Sequence, residues 1–164
     1  MPPILRRLAV LFAMAGGLAG CAVALMTVTS VTGRAITSQP IPGDIELTQF
    51  GSALCIALCL PWAQLHGSNI IVDFFTQRTG ERTLRRLDAF GALLLALMVG
   101  VLAWRTAVGA LSVHDSFETT MILELPMWIA YAVLAPGFAL TAVIALAQVR
   151  LHLSGKEPHL GVRP

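Results

Sequence analysis

Between Arg7 and Arg34 the chain reads, over residues 8–33, LAVLFAMAGGLAGCAVALMTVTSVTG, with no formal charge anywhere in it. A helix needs about 20 mostly apolar residues to cross a hydrocarbon core of about 30 Å, and this run supplies them alone. The apolar residues are continuous, without the alternation that marks a lipid-facing barrel strand. Working outward, three more such runs follow: Leu47 to Leu65, Ala89 to Trp104, and the stretch between Glu124 and Arg150. The whole composition agrees. Of 164 residues 56% are hydrophobic and 12% charged, against roughly 45–50% and 25% in soluble domains. Mean hydropathy is +0.77. So few charges cannot cover a soluble core, and so apolar a chain cannot be intrinsically disordered. A net charge of +2 with no basic stripe argues against a nucleic-acid partner. The reading is an all-α integral membrane protein, one four-helix domain over residues 1–164 with spans near 8–33, 45–66, 87–109 and 125–149.

The third span is the shortest. Ala89 to Trp104 is 16 residues, about 24 Å at 1.5 Å per residue, so the helix is expected to continue through Arg105 toward Gly109. A guanidinium near a helix end reaches the interface at little cost, whereas at the bilayer centre it costs about 3 kcal/mol. Arg105 is therefore placed near one membrane surface. Lysine and arginine positions set the orientation. Nine of the eleven lie in the N-terminal tail, the middle loop and the C-terminal tail (Arg6, Arg7, Arg78, Arg82, Arg85, Arg86, Arg150, Lys156, Arg163), against Arg34 and Arg105 in the other two loops. Both termini are expected in the cytoplasm. Leu18-Ala19-Gly20-Cys21 after Arg6-Arg7 has the shape of a lipoprotein cleavage site, but Ala22 to Val31 stays apolar, which favours a retained helix over a removed signal.

Intramembrane carboxylates and lysines mark ion and substrate paths, and spans one, two and four carry no charge at mid-depth. His66, His114, His152 and His159 fall at span ends or outside, so no facing pair is offered for haem. Cys21, Cys55 and Cys59 lie within spans and read as small packing residues rather than reactive thiols. No triad, zinc spacing or phosphate loop is present; no catalytic, metal or cofactor-binding residue is assigned. Gly16 and Gly20 form a G-x-x-x-G that lets backbones approach, within the chain or on a partner. Pro61 and Pro136 should kink the second and fourth helices.

Three connecting regions have more specific character. In the first loop Pro40, Pro42 and Gly43 force a turn, Asp44 is expected to be an N-cap, and Glu46 suits the positive helix end; Glu46 is also a candidate partner contact. After the second helix comes Gly67-Ser68-Asn69-Ile70-Ile71-Val72-Asp73-Phe74-Phe75. Gly67 can close the helix, and the apolar remainder, too short to cross, is expected to lie along the inner membrane surface as a short interfacial segment between helices 2 and 3. The acidic third loop leads into Pro126-Met127-Trp128-Ile129-Ala130-Tyr131. Proline suits a first helical turn, and Trp128 and Tyr131 fall one turn apart like an aromatic belt.

With these regions located, the chain resembles the small membrane subunit of a tripartite ATP-independent periplasmic (TRAP) transporter, the DctQ family. That family has an acidic start to the second helix, matched by Gly43-Asp44-Ile45-Glu46, and a G-S-H-I-x-V-D-like stretch, matched by Gly67, Ser68, Asn69 and Asp73. A P-x-x-W/Y-type segment opens its fourth helix, matched by Pro126, Trp128 and Tyr131. Asn69 stands where histidine is usual. The resemblance implies a subunit in a bacterial inner membrane, with no cofactor. Its implied partners are a large permease subunit of the DctM type, a periplasmic solute-binding protein and the lipid bilayer. It implies import of an organic acid on an ion gradient, with this subunit bracing the large one. Two other readings are an autonomous small transporter or channel, and a membrane anchor for a redox complex.

Overall fold

A computed structural model describes residues 3–38, 41–66 and 81–153. It contains four helices, α1 (Pro3–Thr37), α2 (Asp44–Leu65), α3 (Glu81–Asp115) and α4 (Trp128–Leu153), each long and apolar enough to cross a membrane. The helices overrun the uncharged stretches: α3 begins at Glu81 and passes through Arg105 to Asp115. The reason is that a run without charge measures only what can sit in hydrocarbon, while arginine, glutamate and leucine all propagate a helix well beyond it. Helix α4 does not open on proline. Pro126 stands two residues before it, in an isolated antiparallel bridge to Thr119, where proline's fixed φ and missing N–H are as well tolerated as in a first turn. The segment expected to lie along the membrane, with Gly67, Ser68, Asn69 and Asp73, falls outside the described residues.

The helices form an open row rather than a closed square. Helix α1 lies on α2, α2 on α4, and α4 on α3, with only a light contact between α1 and α4. Close contacts fix the register. A Cβ on Gly16 would stand 2.9 Å from Cys59 Sγ and 3.1 Å from the Cys55 carbonyl oxygen, and one on Gly20 would stand 3.0 Å from Cys55 Sγ. The G-x-x-x-G therefore packs inside the chain, and the two cysteines of α2 fill the space the glycines leave. Between α2 and α4 the backbones cross at Ala57 and Gly137, with no room for a side chain on the glycine. Between α3 and α4, Gly109 faces the Tyr131 ring, and His114 meets Trp128 edge-on with ring centroids 5.5 Å apart. Small residues dominate the buried set (Ala9, Ala57, Ala89, Ala96, Ala142, Ala145), because helices in lipid gain by close backbone packing rather than by burying large apolar groups. The one larger cluster, Ala9, Leu65 and Ile144 with Leu5, Trp62 and Leu140, closes the end where α1 starts and α2 and α4 finish. Large side chains such as Met14, Leu18 and Met98 point outward, 68%, 74% and 72% exposed, as suits a surface solvated by lipid.

Candidate functional site

The polar side chains that tie one helix to another or to a loop gather near the two sets of helix ends. At the loop end, Gly43 is the N-cap of α2, with φ 73° and no side-chain cap. That left-handed conformation favours glycine, and a Cβ there would also collide with the Leu123 side chain. Asp44 is thus not the N-cap that its sequence position suggests. As the first helical residue it turns sideways to α1: Ser30 Oγ donates to Asp44 Oδ2 at 2.6 Å, and the Arg34 guanidinium lies 3.6 Å from the same oxygen. Ser30, itself buried, also accepts from the Ile41 N–H at 3.4 Å. One hydroxyl so joins the end of α1, the first loop and the start of α2.

Glu46 reaches the third loop. The Ile122 N–H donates to Glu46 Oε1 at 2.8 Å and the Leu123 N–H to Oε2 at 3.1 Å. A carboxylate accepting two main-chain N–H groups makes charge-assisted bonds, which explains the acid better than the helix dipole does. The loop it grips is already shaped. Thr120 N–H bonds the Leu125 carbonyl at 3.0 Å and Met127 N–H the Glu118 carbonyl at 3.0 Å, while Leu125 N–H bonds Thr120 Oγ1. Phe117 and Glu124 take left-handed φ of 52° at its two reversals.

At the opposite end, Gln64 of α2 and Gln148 of α4 are joined by two buried hydrogen bonds. Gln64 Nε2 donates to Gln148 Oε1 at 2.6 Å, and Gln148 Nε2 donates to the Gln64 carbonyl at 2.7 Å. Amides across a helix pair hold it where apolar contact alone would not specify register.

Of the residues singled out from the sequence, Asp44 meets the end of α1, and Glu46 meets the third loop, which also carries Pro126 and leads into Trp128. Tyr131 lies one turn further in, against α3. Gly43 was read as part of the turn and not as the cap it is. Ser30, Gln64 and Gln148 were not singled out, because they depend on partners 14 or 84 residues away, for which a single sequence carries no signal. Arg105 lies nine residues before His114, about 14 Å along the helix axis, and His114 is level with Trp128.

Among the described residues no three His, Cys, Asp or Glu side chains converge as a metal site, and Cys21, Cys55 and Cys59 are free thiols. A hollow lined by Pro3, Arg6, Arg7, Val10 and Leu11 runs along the flank of α1 and not between helices. The polar ties fasten two helices and two loops at one end and two helices at the other, with close crossings between them. The family model for tripartite ATP-independent periplasmic transporters, DctQ component, matches residues 23–155. No curated protein and no solved structure matches the chain.

Proposed function

We propose, from the premise that the chain belongs to the DctQ family and is the small membrane subunit of a TRAP transporter, that it serves as the static brace of that transporter. In this reading a large permease subunit of the DctM type moves an organic acid on an ion gradient, and a periplasmic binding protein delivers it. The chain lies in a bacterial inner membrane with both termini cytoplasmic. The loop end, with Asp44, Glu46, Pro126 and Trp128, then faces the periplasm.

The observation that carries the reading is where the polar groups are used. Gln64, Gln148, Ser30, Asp44 and Glu46 are all committed to bonds within the chain. A carrier needs polar groups that face its cargo in turn; a brace needs them fixed.

The test is reconstitution. The chain should co-purify with a much larger polytopic subunit, and uptake into proteoliposomes should require both together with the binding protein. Uptake by this chain alone would support an autonomous transporter, and a copurifying haem or quinone absorbance would support a redox anchor.

A further inference from the structure

Helix α3 is the end of the row and packs on α4 along one side only. Ala89, Ala96 and Val99 face that contact and are buried, while Leu94, Met98, Val101 and Val108 are 41–72% exposed. Residues 94, 98, 101, 105 and 108 recur at spacings of four and three, so they share one stripe of the helix, and the fourth of them is Arg105. Among the described residues no ion pair or hydrogen bond engages its exposed guanidinium. It starts about 14 Å inward of the Trp128 level, whereas an extended arginine side chain of six bonds near 1.5 Å spans roughly 7 Å. With Trp128 at the interface, as its reading as a belt residue places it, lipid phosphates beyond it are out of reach of this side chain.

The other end of the row makes the contrast. Exposed Thr27, Thr29 and Thr32 on α1 each donate to the carbonyl four residues back, at 2.7–2.9 Å. The α1 surface presents hydroxyls already satisfied, as lipid requires; the α3 surface presents an unsatisfied cation. An ionisable group at such depth is retained for a partner, and only an anion there answers it.

We propose that Arg105 pairs with a carboxylate on a membrane-embedded helix of the large transporter subunit, and that the α3 stripe around it is the face on which that subunit seats. This rests on the functional reading above and adds to it which helix meets the partner.

The test uses the full chain co-expressed with the large subunit and purified through a tag on the latter. Arg105→Leu should enter the membrane at wild-type level or better, since leucine is favoured at this depth, yet its recovery with the large subunit should fall tenfold or more. Arg105→Lys, which keeps the charge, should recover most of it. A photo-crosslinking phenylalanine derivative at Val101 should join the large subunit, and the same group at Met14 on α1 should not. Wild-type recovery of Arg105→Leu, or adducts from Val101 with lipid alone, would overturn the proposal while leaving the brace intact. Failure of the wild-type chain to be recovered at all would overturn both.

Discussion

Replacing Gly137 by alanine puts the helix crossing at the centre of the row to a quantitative test. A Cβ at this position would overlap the Ala57 carbonyl oxygen and stand 2.9 Å from the carbonyl carbon. Both atoms are backbone and cannot rotate aside, so α2 and α4 must part. Overfilling a packed interior costs about 1–3 kcal/mol, and glycine to alanine inside a helix returns up to about 1 kcal/mol. Because the obstacle is rigid, the cost belongs at the upper end, and the net loss is about 2 kcal/mol, roughly thirtyfold in the folded-to-unfolded ratio. Gly91→Ala is the matched control. Nothing lies within 4 Å of the Cβ it would add, so it should leave stability unchanged or raise it by up to about 1 kcal/mol. Titration of both variants from mild micelles into sodium dodecyl sulfate, followed by tryptophan fluorescence, compares the same chemical change in two settings. If Gly137→Ala unfolds at the same detergent fraction as Gly91→Ala, the close crossing of α2 and α4 is wrong.

Three other outcomes follow, two from the polar ties and one from the distribution of lysine and arginine. Gln148→Leu removes the α4 partners of Gln64 and should cost about 1 kcal/mol, between the net worth of a buried hydrogen bond and the smaller values measured within membranes. The double variant Gln64→Leu with Gln148→Leu should be more stable than the sum of the singles predicts; strictly additive effects would deny the coupling. Glu46→Ala should lower both recovery of the complex and uptake, more than Glu46→Gln, which keeps one acceptor oxygen, while the binding protein's affinity for its substrate stays unchanged. Full uptake by Glu46→Ala would reduce the carboxylate to a dispensable contact. A reporter active only in the periplasm, fused after Pro164, should be silent, and activity there would reverse the orientation.

The four crossings were legible because a charge-free run of sufficient length has one physical explanation in lipid. Their arrangement was not. A helix apolar on every side offers no amphipathic stripe to say which faces meet, so nothing in the sequence foretold that α4 would lie between α2 and α3. Gly16 and Gly20 announced a close approach without naming the neighbour; Cys55 and Cys59 supply it. Asp44 was read as an N-cap from its position after a turn, but Gly43 takes the cap and frees the carboxylate for Ser30 and Arg34. For Glu46 the acid was visible and its partner was not, because main-chain N–H groups exist at every residue and those of Ile122 and Leu123 are selected only by the fold.

The same ties decide what the chain can do mechanically. Suppose α2 tilted against α4 about their crossing at Ala57. Gln64 lies seven residues from that pivot and Glu46 eleven, about 10 Å and 16 Å along the axis. A rotation of about 10° would move the first by nearly 2 Å and the second by nearly 3 Å. Both movements exceed what bonds of 2.6–3.1 Å tolerate before their geometry fails near 3.5 Å. The ties sit on opposite sides of the pivot, so no choice of tilt relieves one end without breaking the other. Helix α1 is held to α2 in turn, by Ser30 at the loop end and by Ala9 and Leu65 at the other. These ties support the proposed role as a brace, in which three helices of the row move as one body and the alternation of access takes place in the large subunit.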